Sequence, residues 1–362
     1  MFCDSLNTKR KGFRRNKKGT IRRFLCFQCG KSFSFRNNNE NDTTRRHLED
    51  SSSYRTIQRR DGCSKNTAIK HIHKVGEVAR DSFWIATNLK PKWSGILCFD
   101  GTYISVKNPL PKPVQKLFSK DERFLHKMVA LLGVDYHTRD LPHYSLGENE
   151  NMIDLVMHFR QLKENGYDIN VLVRDGNKLI SRAAEHVYGR VIPVQLCQRH
   201  FMTKFDDKIA CRDLVGEQEN IMKLKEKVWT IIRAPTIDLA CEKMNEFMRL
   251  KTQFETSLTT KELVWKFIRD YEQLTMYLQY KKGLVPTTSN VAENMNKQLK
   301  SRLRSMCSFQ TAKSAQDYLK LWCLKRRFQK FTDCKEPHKH LNGKAPLQLA
   351  DCDISKLDYL KL

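Results

Sequence analysis

The sequence predicts a mixed α/β protein with a helical block and small N-terminal segments. Three observations support this class. Apolar runs of strand type follow one another between residues 95 and 148, strands and helices then alternate up to residue 197, and residues 213–283 are helical and poor in strands. Strands that first form a meander and then alternate with helices indicate a sheet with antiparallel and parallel pairs.

The N-terminal segment, residues 1–36, is basic and contains the C-x-x-C pair of Cys26 and Cys29. Cysteines at this spacing are typical of zinc ligands, but they also occur as small residues in a hairpin. Residues 37–53 are polar, and we expect a linker or loop there.

Residues 50–85 show the pattern of a helix-turn-helix, in which two short helices are joined at a glycine. Ser64 is the expected cap of the second helix, and its buried stripe is predicted to be Ile69, Ile72 and Val75. A helical hairpin that merely links two domains has the same pattern. If the segment reads DNA, three exposed residues are the expected contacts: Lys65, Asn66 and Lys70.

The core follows from about residue 92. GILCFDGTYISVK, KMVALLGVDYH and DLPHYSLGE are predicted strands, MIDLVMHFRQLKENG is a predicted helix, and INVLVRDG, KLISRAAEHVYG and VIPVQLC are a predicted strand, helix and strand. After the helical block, further helices are expected over residues 291–306 and 311–331.

Three acidic residues stand at positions where sites form. Asp100 and Asp175 each follow an apolar strand run, and Glu293 lies in the first turn of a helix. A carboxylate on a core strand costs free energy unless it is paired or binds a metal, and hard carboxylate ligands suit Mg²⁺ or Mn²⁺. Each aspartate could equally end its strand in a turn, and Glu293 could form a capping box with Asn290 as the N-cap.

The helix that carries Glu293 has two distinct faces. Its apolar stripe is Val291, Met295 and Leu299, and Glu293 lies opposite to it. Three cations share the face of Glu293, which we expect to meet solvent or a phosphate backbone: Lys297, Lys300 and Arg304.

The charge of the chain favours a nucleic acid partner. The 362 residues include 66 Lys and Arg against 40 Asp and Glu, which gives a formal net charge of +26. Neutralising phosphates releases counterions, although ribosomal and membrane-surface proteins are basic as well. No apolar run approaches the roughly 20 residues of a membrane span, no secretory signal is evident, and the sparse cysteines suit a reducing compartment. We expect a cytoplasmic, nucleoid-associated protein without a membrane partner.

The order of these features resembles the DDE transposases of the Mutator-like superfamily, which includes many insertion-sequence transposases. The motifs are CFDGTYISV, VLVRDGN, LCQRHF and TSNVAENMNKQLKSR, with the closing phrase HLNGKAPLQLA. The resemblance implies an RNase H-like core over residues 92–212 and 285–335, an all-α insertion over 213–284 and a tail over 336–362.

The same resemblance implies a function. Asp100, Asp175 and Glu293 would form a catalytic triad that binds two Mg²⁺ or Mn²⁺ ions, cleaves double-stranded DNA at transposon ends and transfers the freed strand. A homodimer or larger assembly on DNA is implied as well. Two other interpretations stay open, namely a transposase-derived DNA-binding protein without activity and another RNase H-like nuclease.

The N-terminal segment is similar to the second half of a zinc ribbon at the front of some of these transposases. One structural Zn²⁺ would then bind Cys3, Cys26 and Cys29. The fourth ligand is missing from this pattern. His47 could supply it, the true start could lie upstream of Met1, or the ribbon could be degenerate.

Cys197 and His200 lie three residues apart, after the last predicted core strand. A cysteine hydrolase is a poor interpretation, because a catalytic cysteine and histidine usually come from distant positions. A zinc site would need two further ligands, and only Cys211 is close in sequence. We therefore expect His200 to support a carboxylate or orient DNA near the metal centre and Cys197 to pack or hydrogen-bond beside it. The alternative is that neither residue has a chemical role.

Overall fold

The structure, a computed structural model, describes residues 7–16, 19–33, 40–107, 126–214, 216–306 and 309–362. The chain divides into two compact units, one of Met1–Ala79 with Leu360–Leu362 and the other of Arg80–Tyr359. In the described part, no helix has the length and apolar character that a membrane crossing requires. The domain boundaries that the sequence analysis gives within these units remain predictions.

The smaller unit begins with an antiparallel sheet of β1 (Thr8–Asn16), β2 (Gly19–Cys26) and β3 (Ser32–Phe33) in the order β1-β2-β3. Cys26 ends β2 and Cys29 lies in the turn that follows. Backbone hydrogen bonds from Gly30 N to Cys26 O and from Cys26 N to Lys31 O, both 3.0 Å long, close this turn.

Helix α1 (Glu40–Leu48) occupies the stretch for which the sequence predicted a linker over residues 37–53. That prediction was wrong for these residues. The helix buries Thr43, Thr44, His47 and Leu48, which recur at helical spacing. Only Leu48 is apolar, so the helical spacing of these buried residues does not show as a hydrophobic pattern in the sequence.

Two further helices, α2 (Tyr54–Asp61) and α3 (Lys65–Val78), follow. Gly62 ends α2 in the left-handed conformation, with φ at 62°, which glycine adopts without strain. Ser64 Oγ accepts a hydrogen bond from Thr67 N at 3.0 Å, as its predicted capping role requires. The buried face of α3 is shifted from the predicted one, because Ile69 is only half-buried; the buried residues are Ala68, Ile72, Val75 and Gly76.

The larger unit opens with helix α4 (Ser82–Leu89) and is built on a five-stranded sheet. Its strands are β4 (Ile96–Val106), β5 (His126–Asp135), β6 (His143–Gly147), β7 (Val171–Arg174) and β8 (Val194–Leu196). The order is β6-β5-β4-β7-β8, with antiparallel pairing from β6 to β4 and parallel pairing from β4 to β8. The predicted mixed α/β sheet is confirmed.

Helices α5 (Met152–Glu164) and α6 (Lys178–Tyr188) supply the connections around the parallel strands. Their apolar faces share a core with the sheet that includes Leu97, Phe99, Phe159 and Ile180. Burial of this core stabilises the pairing of β4 with β7 and so fixes their register.

A helical block follows β8. It consists of α7 (Gln198–Ile209), α8 (Gln218–Ile232), α9 (Ile237–Phe254) and α10 (Leu258–Thr275). These helices bury their own core around Phe205, Val228, Phe247 and Phe267. Leu196 at the end of β8 belongs to the same cluster, so the block is anchored directly to the sheet.

The chain then returns to the sheet through α11 (Asn290–Met306) and α12 (Ala312–Phe328), followed by the short α13 (Pro346–Leu349). Helix α11 packs against β4 and β5. Arg327 of α12 makes two hydrogen bonds to the Asp140 carboxylate, at 2.9 and 2.7 Å, and both side chains are almost completely buried. Breaking such a pair strands a buried charge, so it fixes α12 to the connection between β5 and β6.

Candidate active site

The middle of β4 lies beside the carboxyl ends of β7 and β8. Cys98 of β4 pairs with Val173 of β7, and Arg174 of β7 pairs with Leu196 of β8. Continuing these registers brings position 100 opposite position 175, and position 175 opposite position 197. Asp175 and Cys197 directly follow the ends of β7 and β8, where sites form in open α/β sheets, and Asp100 lies beside them within β4.

Asp100 is held by a residue of α11. Asn296 Nδ2 donates a hydrogen bond of 2.8 Å to Asp100 Oδ2. Burial raises the pKa of Asp100 to about 6, the hydrogen bond from Asn296 lowers it, and the charge of Asp175 raises it. Asn296 is itself buried, and its Oδ1 has no hydrogen-bond partner among the described residues.

Asp175 lies in a loop that is fixed on both sides. Its carboxylate Oδ1 accepts a hydrogen bond of 2.9 Å from Asn177 N. The buried Arg174 guanidinium donates to Asp175 O at 2.6 Å and to Gln273 Oε1 of α10 at 3.3 Å. The loop geometry thus depends on the helical block as well as on the sheet.

Glu150 joins these two acids, and the sequence did not predict it. Its Oε2 accepts a hydrogen bond of 3.2 Å from Asn177 Nδ2. Its Oε1 occupies the space above Gly101, where an added Cβ would lie 2.0 Å away. Burial raises the pKa of Glu150, and Asp175 adds to that effect. A glutamate in the loop before α5 has no pattern that would have revealed this position.

Glu293 faces the start of α7 rather than open solvent, so the expected exposed environment was wrong for this residue. Its side chain is only 12% exposed, and its Oε2 and Oε1 lie 3.6 Å from Arg199 Nη1 and 3.8 Å from His200 Nε2. The capping box with Asn290 as the N-cap does not form, because α11 begins at Asn290; Ser289 Oγ donates to Glu293 Oε1 at 3.4 Å, while Ser289 N donates to Cys197 Sγ. Asn290 Oδ1 instead accepts from Arg199 Nη1 at 3.2 Å.

Cys197, His200 and Glu293 form a compact group, in which one ligand atom from each lies within 4.8 Å of the others. Among the described residues, no other group of three His, Cys, Asp or Glu side chains is so close, and Cys211 does not belong to it. The pKa of His200 is raised to about 9, chiefly by its hydrogen bond with Cys197 and also by the charges of Glu293 and Asp100, although burial lowers it. His200 therefore links Glu293 electrostatically to Asp100.

Cys197 serves as a buried anchor of this group. It is 0% exposed, and its Sγ accepts a hydrogen bond of 3.4 Å from Ser289 N. Burial raises the pKa of the thiol, but the hydrogen bonds from His200 and Ser289 outweigh that effect and lower it. A sulfur atom without solvent exposure is not accessible to a substrate, so the structure gives no support to a cysteine hydrolase.

A comparison of sequences supplies the family. Residues 122–329, more than half of the chain, match the model of the Mutator family of transposases. The chain belongs to this transposase family. No curated protein matches the chain. The matched segment of the transposase includes Glu150, Asp175 and Glu293, whereas Asp100 precedes it and joins the site through the pairing of β4 with β7.

The resemblance to DDE transposases implies a divalent metal, and the chemistry of the acids around β4 and β7 fits one. Asp100, Asp175 and Glu150 offer hard oxygen donors, which Mg²⁺ and Mn²⁺ prefer. The buried, unpartnered Asn296 Oδ1 is a further oxygen that needs a donor or a cation. The space above Gly101, which a Cβ would fill, is left to the Glu150 carboxylate.

The predicted DNA contacts of the transposase are all exposed. Lys297, Lys300 and Arg304 follow Glu293 along α11, and the candidates on the smaller unit, Lys65, Asn66 and Lys70, lie in the first two turns of α3. Exposure leaves these side chains accessible to phosphates or bases.

The zinc prediction is only partly within the described residues. Cys26 is buried and Cys29 half-buried, while Cys3 lies outside the described residues. His47, the alternative fourth ligand, is buried against Tyr54 with 4.6 Å between ring centroids, and its Nδ1 lies 2.8 Å from Ser52 O.

Proposed function

We propose that the chain is a DNA transposase that binds transposon terminal repeats and catalyses metal-dependent strand cleavage and strand transfer. The observation that carries this proposal is that Asp100 of β4 lies next to Asp175 after β7, with Glu293 connected through His200, in a chain of the Mutator family. The sheet order, with its helical block between Asp175 and Glu293, supports an RNase H-like core for this activity.

Each residue of the site has a distinct task in this proposal. Asp100 would bridge two metal ions, Asp175 would bind one of them, and Glu293 would complete the site. Two bound Mg²⁺ or Mn²⁺ ions supply activation of a water or a 3′-hydroxyl and stabilise the leaving oxygen. His200 and Arg199 hold the Glu293 carboxylate, and the buried Cys197 holds His200 in turn.

DNA recognition is assigned to two surfaces. Helices α2 and α3 would act as a helix-turn-helix that reads the terminal repeat, and the cations of α11 would hold the phosphate backbone near the site. The strands around Cys26 and Cys29 would form a zinc ribbon with one structural Zn²⁺, which metal analysis of the full chain would decide. A homodimer on paired ends, acting at the nucleoid, is proposed as well, and sedimentation of the DNA complex would test its stoichiometry.

The decisive experiment measures cleavage of a duplex that carries the inverted repeats flanking the gene. We expect Mg²⁺-dependent cleavage by the wild type. Asp100→Asn, Asp175→Asn and Glu293→Gln should each lower the rate at least about a hundredfold, since each removes a metal-binding charge. The exposed Asp207→Asn is the matched control and should cleave as the wild type does.

The outcomes separate the competing functions. A wild type that binds the repeat duplex but never cleaves it is a DNA-binding protein without activity. Cleavage without preference for the repeats would indicate another nuclease. If a substitution of one of the three acids leaves the cleavage rate unchanged, that residue does not belong to the triad.

A further inference from the structure

We propose that Glu150 is a further metal-binding carboxylate of this centre, beside Asp100 and Asp175. The inference rests on the proposed function and deepens it, because it adds a ligand that the three-acid pattern does not contain.

The position of Glu150 is set by β4 on one side and by the loop after β7 on the other. Its Oε1 lies over Gly101, directly after Asp100, and its Oε2 accepts the hydrogen bond of Asn177, two residues after Asp175. The carboxylate therefore spans the gap between β4 and the loop after β7.

Among the described residues, cations act on these three carboxylates from beyond ion-pair distance, as His200 does on Asp100. Within the described residues, no Lys, Arg or His nitrogen lies within 4.0 Å of the carboxylates of Asp100, Glu150 or Asp175. Like charges in a partly buried place repel one another, and desolvation adds to the cost unless a cation is present. The side-chain donors that do contact Asp100 and Glu150 are the neutral amides of Asn296 and Asn177.

A second observation points to a ligand at the same place. Asn296 is 4% exposed, donates to Asp100 Oδ2 and leaves its Oδ1 without a partner among the described residues. A buried acceptor without a donor costs free energy, and a bound cation or its water would satisfy it. The carboxylates and this amide oxygen together require positive charge, which explains why Glu150 is held here.

The test is Mn²⁺ binding to the full chain, measured by calorimetry and by the decrease of the electron paramagnetic resonance signal of free Mn²⁺. Glu150→Gln keeps the shape of the side chain and an acceptor for Asn177 but removes the charge. We expect it to weaken Mn²⁺ binding at least tenfold and to raise the Mg²⁺ concentration needed for cleavage. Glu148→Gln, an exposed residue of the same loop, should bind Mn²⁺ as the wild type does.

Two further variants make the outcome decisive. Asn177→Ser keeps a capping oxygen for α6 but removes the amide donor. If Glu150 is purely structural, Asn177→Ser should lower the Mn²⁺ affinity, whereas Glu150→Gln, which keeps the acceptor, should not. Wild-type Mn²⁺ binding by Glu150→Gln, with binding lost in Asp100→Asn, overturns the inference and leaves the proposed function intact. Absence of Mn²⁺ binding by the wild type, or no effect of Asp100→Asn, overturns the metal centre as a whole.

Discussion

At the scale of single residues, the two glycines that follow the site aspartates differ in what they leave room for. A Cβ on Gly101 would lie 2.0 Å from Glu150 Oε1 and 3.1 Å from Val129 Cγ2. A Cβ on Gly176 would meet the Lys204 ammonium at 3.2 Å. The first glycine admits a carboxylate to the site, whereas the second borders a lysine that can move aside.

Gly101→Ala should therefore displace the Glu150 carboxylate without removing it. Because a carboxylate end moves more easily than packed backbone, we expect a loss of unfolding free energy of only about 1–2 kcal/mol. Mn²⁺ binding should weaken as strongly as in Glu150→Gln. Urea unfolding and calorimetry on the same samples measure the two effects.

Gly176→Ala is the matched control for this substitution. It should keep the Mn²⁺ affinity within about threefold of the wild type, since only Lys204 has to move. Equal losses of Mn²⁺ affinity in Gly101→Ala and Gly176→Ala would mean that the lost backbone freedom matters at residue 101, and not the room for Glu150.

The same residues show what the sequence can and cannot reveal. Asp100 and Asp175 were predictable, because each directly follows an apolar run, and the parallel pairing of β4 with β7 places the two runs side by side. Glu150 was not, because its place depends on how the loop between β6 and α5 lies over Gly101. Asn296 follows Glu293 by almost one helical turn, and a helical projection could have paired it with the site.

At the scale of elements, β6 and α5 meet through two buried histidines. His143 of β6 and His158 of α5 have ring centroids 4.7 Å apart, and His158 Nδ1 lies 2.8 Å from Ser145 Oγ. Burial lowers the pKa of His143 to about 4 and lowers the pKa of His158 well below its ordinary value. Both rings are therefore neutral in the folded protein at neutral pH.

This pair predicts that stability is lost on the acid side. In the unfolded chain both histidines titrate near 6.5, so below that pH the unfolded state binds protons that the folded state does not. Their contribution is complete above pH 6.5 and falls as the pH drops towards 4, by roughly 3 kcal/mol for His143 alone. Urea unfolding of the wild type and His143→Phe between pH 4.5 and 7.5 measures it.

The expected difference is a shallower pH dependence in His143→Phe. The exposed His186→Gln serves as the control and should follow the wild type, since it leaves both buried histidines in place. Parallel curves for His143→Phe and the wild type would show that folding does not lower the pKa of His143.

Elements with strong apolar periodicity were predicted well, and the two errors have physical causes. Helix α1 was missed because threonines and a histidine supply most of its buried face. The start of α11 was displaced because Asn290 is a good capping residue, while the structure uses its amide oxygen to accept from Arg199. Tertiary contacts thus decided both positions against local preference.

At the scale of the whole molecule, the formal net charge of +26 matters through its distribution. On α8, three lysines are each paired with a carboxylate: Lys223 with Glu219, Lys225 with Asp206 and Lys227 with Glu246. On α11, Lys297, Lys300 and Arg304 are exposed beyond Glu293. Paired charges contribute less to binding a phosphate partner than exposed cations beside the proposed site.

The salt dependence of DNA binding tests this distribution. Each phosphate contact releases counterions, so log K falls with log salt by about 0.9 per contact on duplex DNA. Replacing Lys297, Lys300 and Arg304 together by Ala should reduce the slope by about 2–3 and weaken binding to all duplexes alike. The triple Ala variant of Lys223, Lys225 and Lys227 removes the same net charge and should change the slope by less than about 1. Lys65→Ala and Lys70→Ala should instead reduce the preference for the terminal repeat over unrelated DNA. Equal slopes for the two triple variants would show that net charge alone, rather than the α11 surface, drives binding.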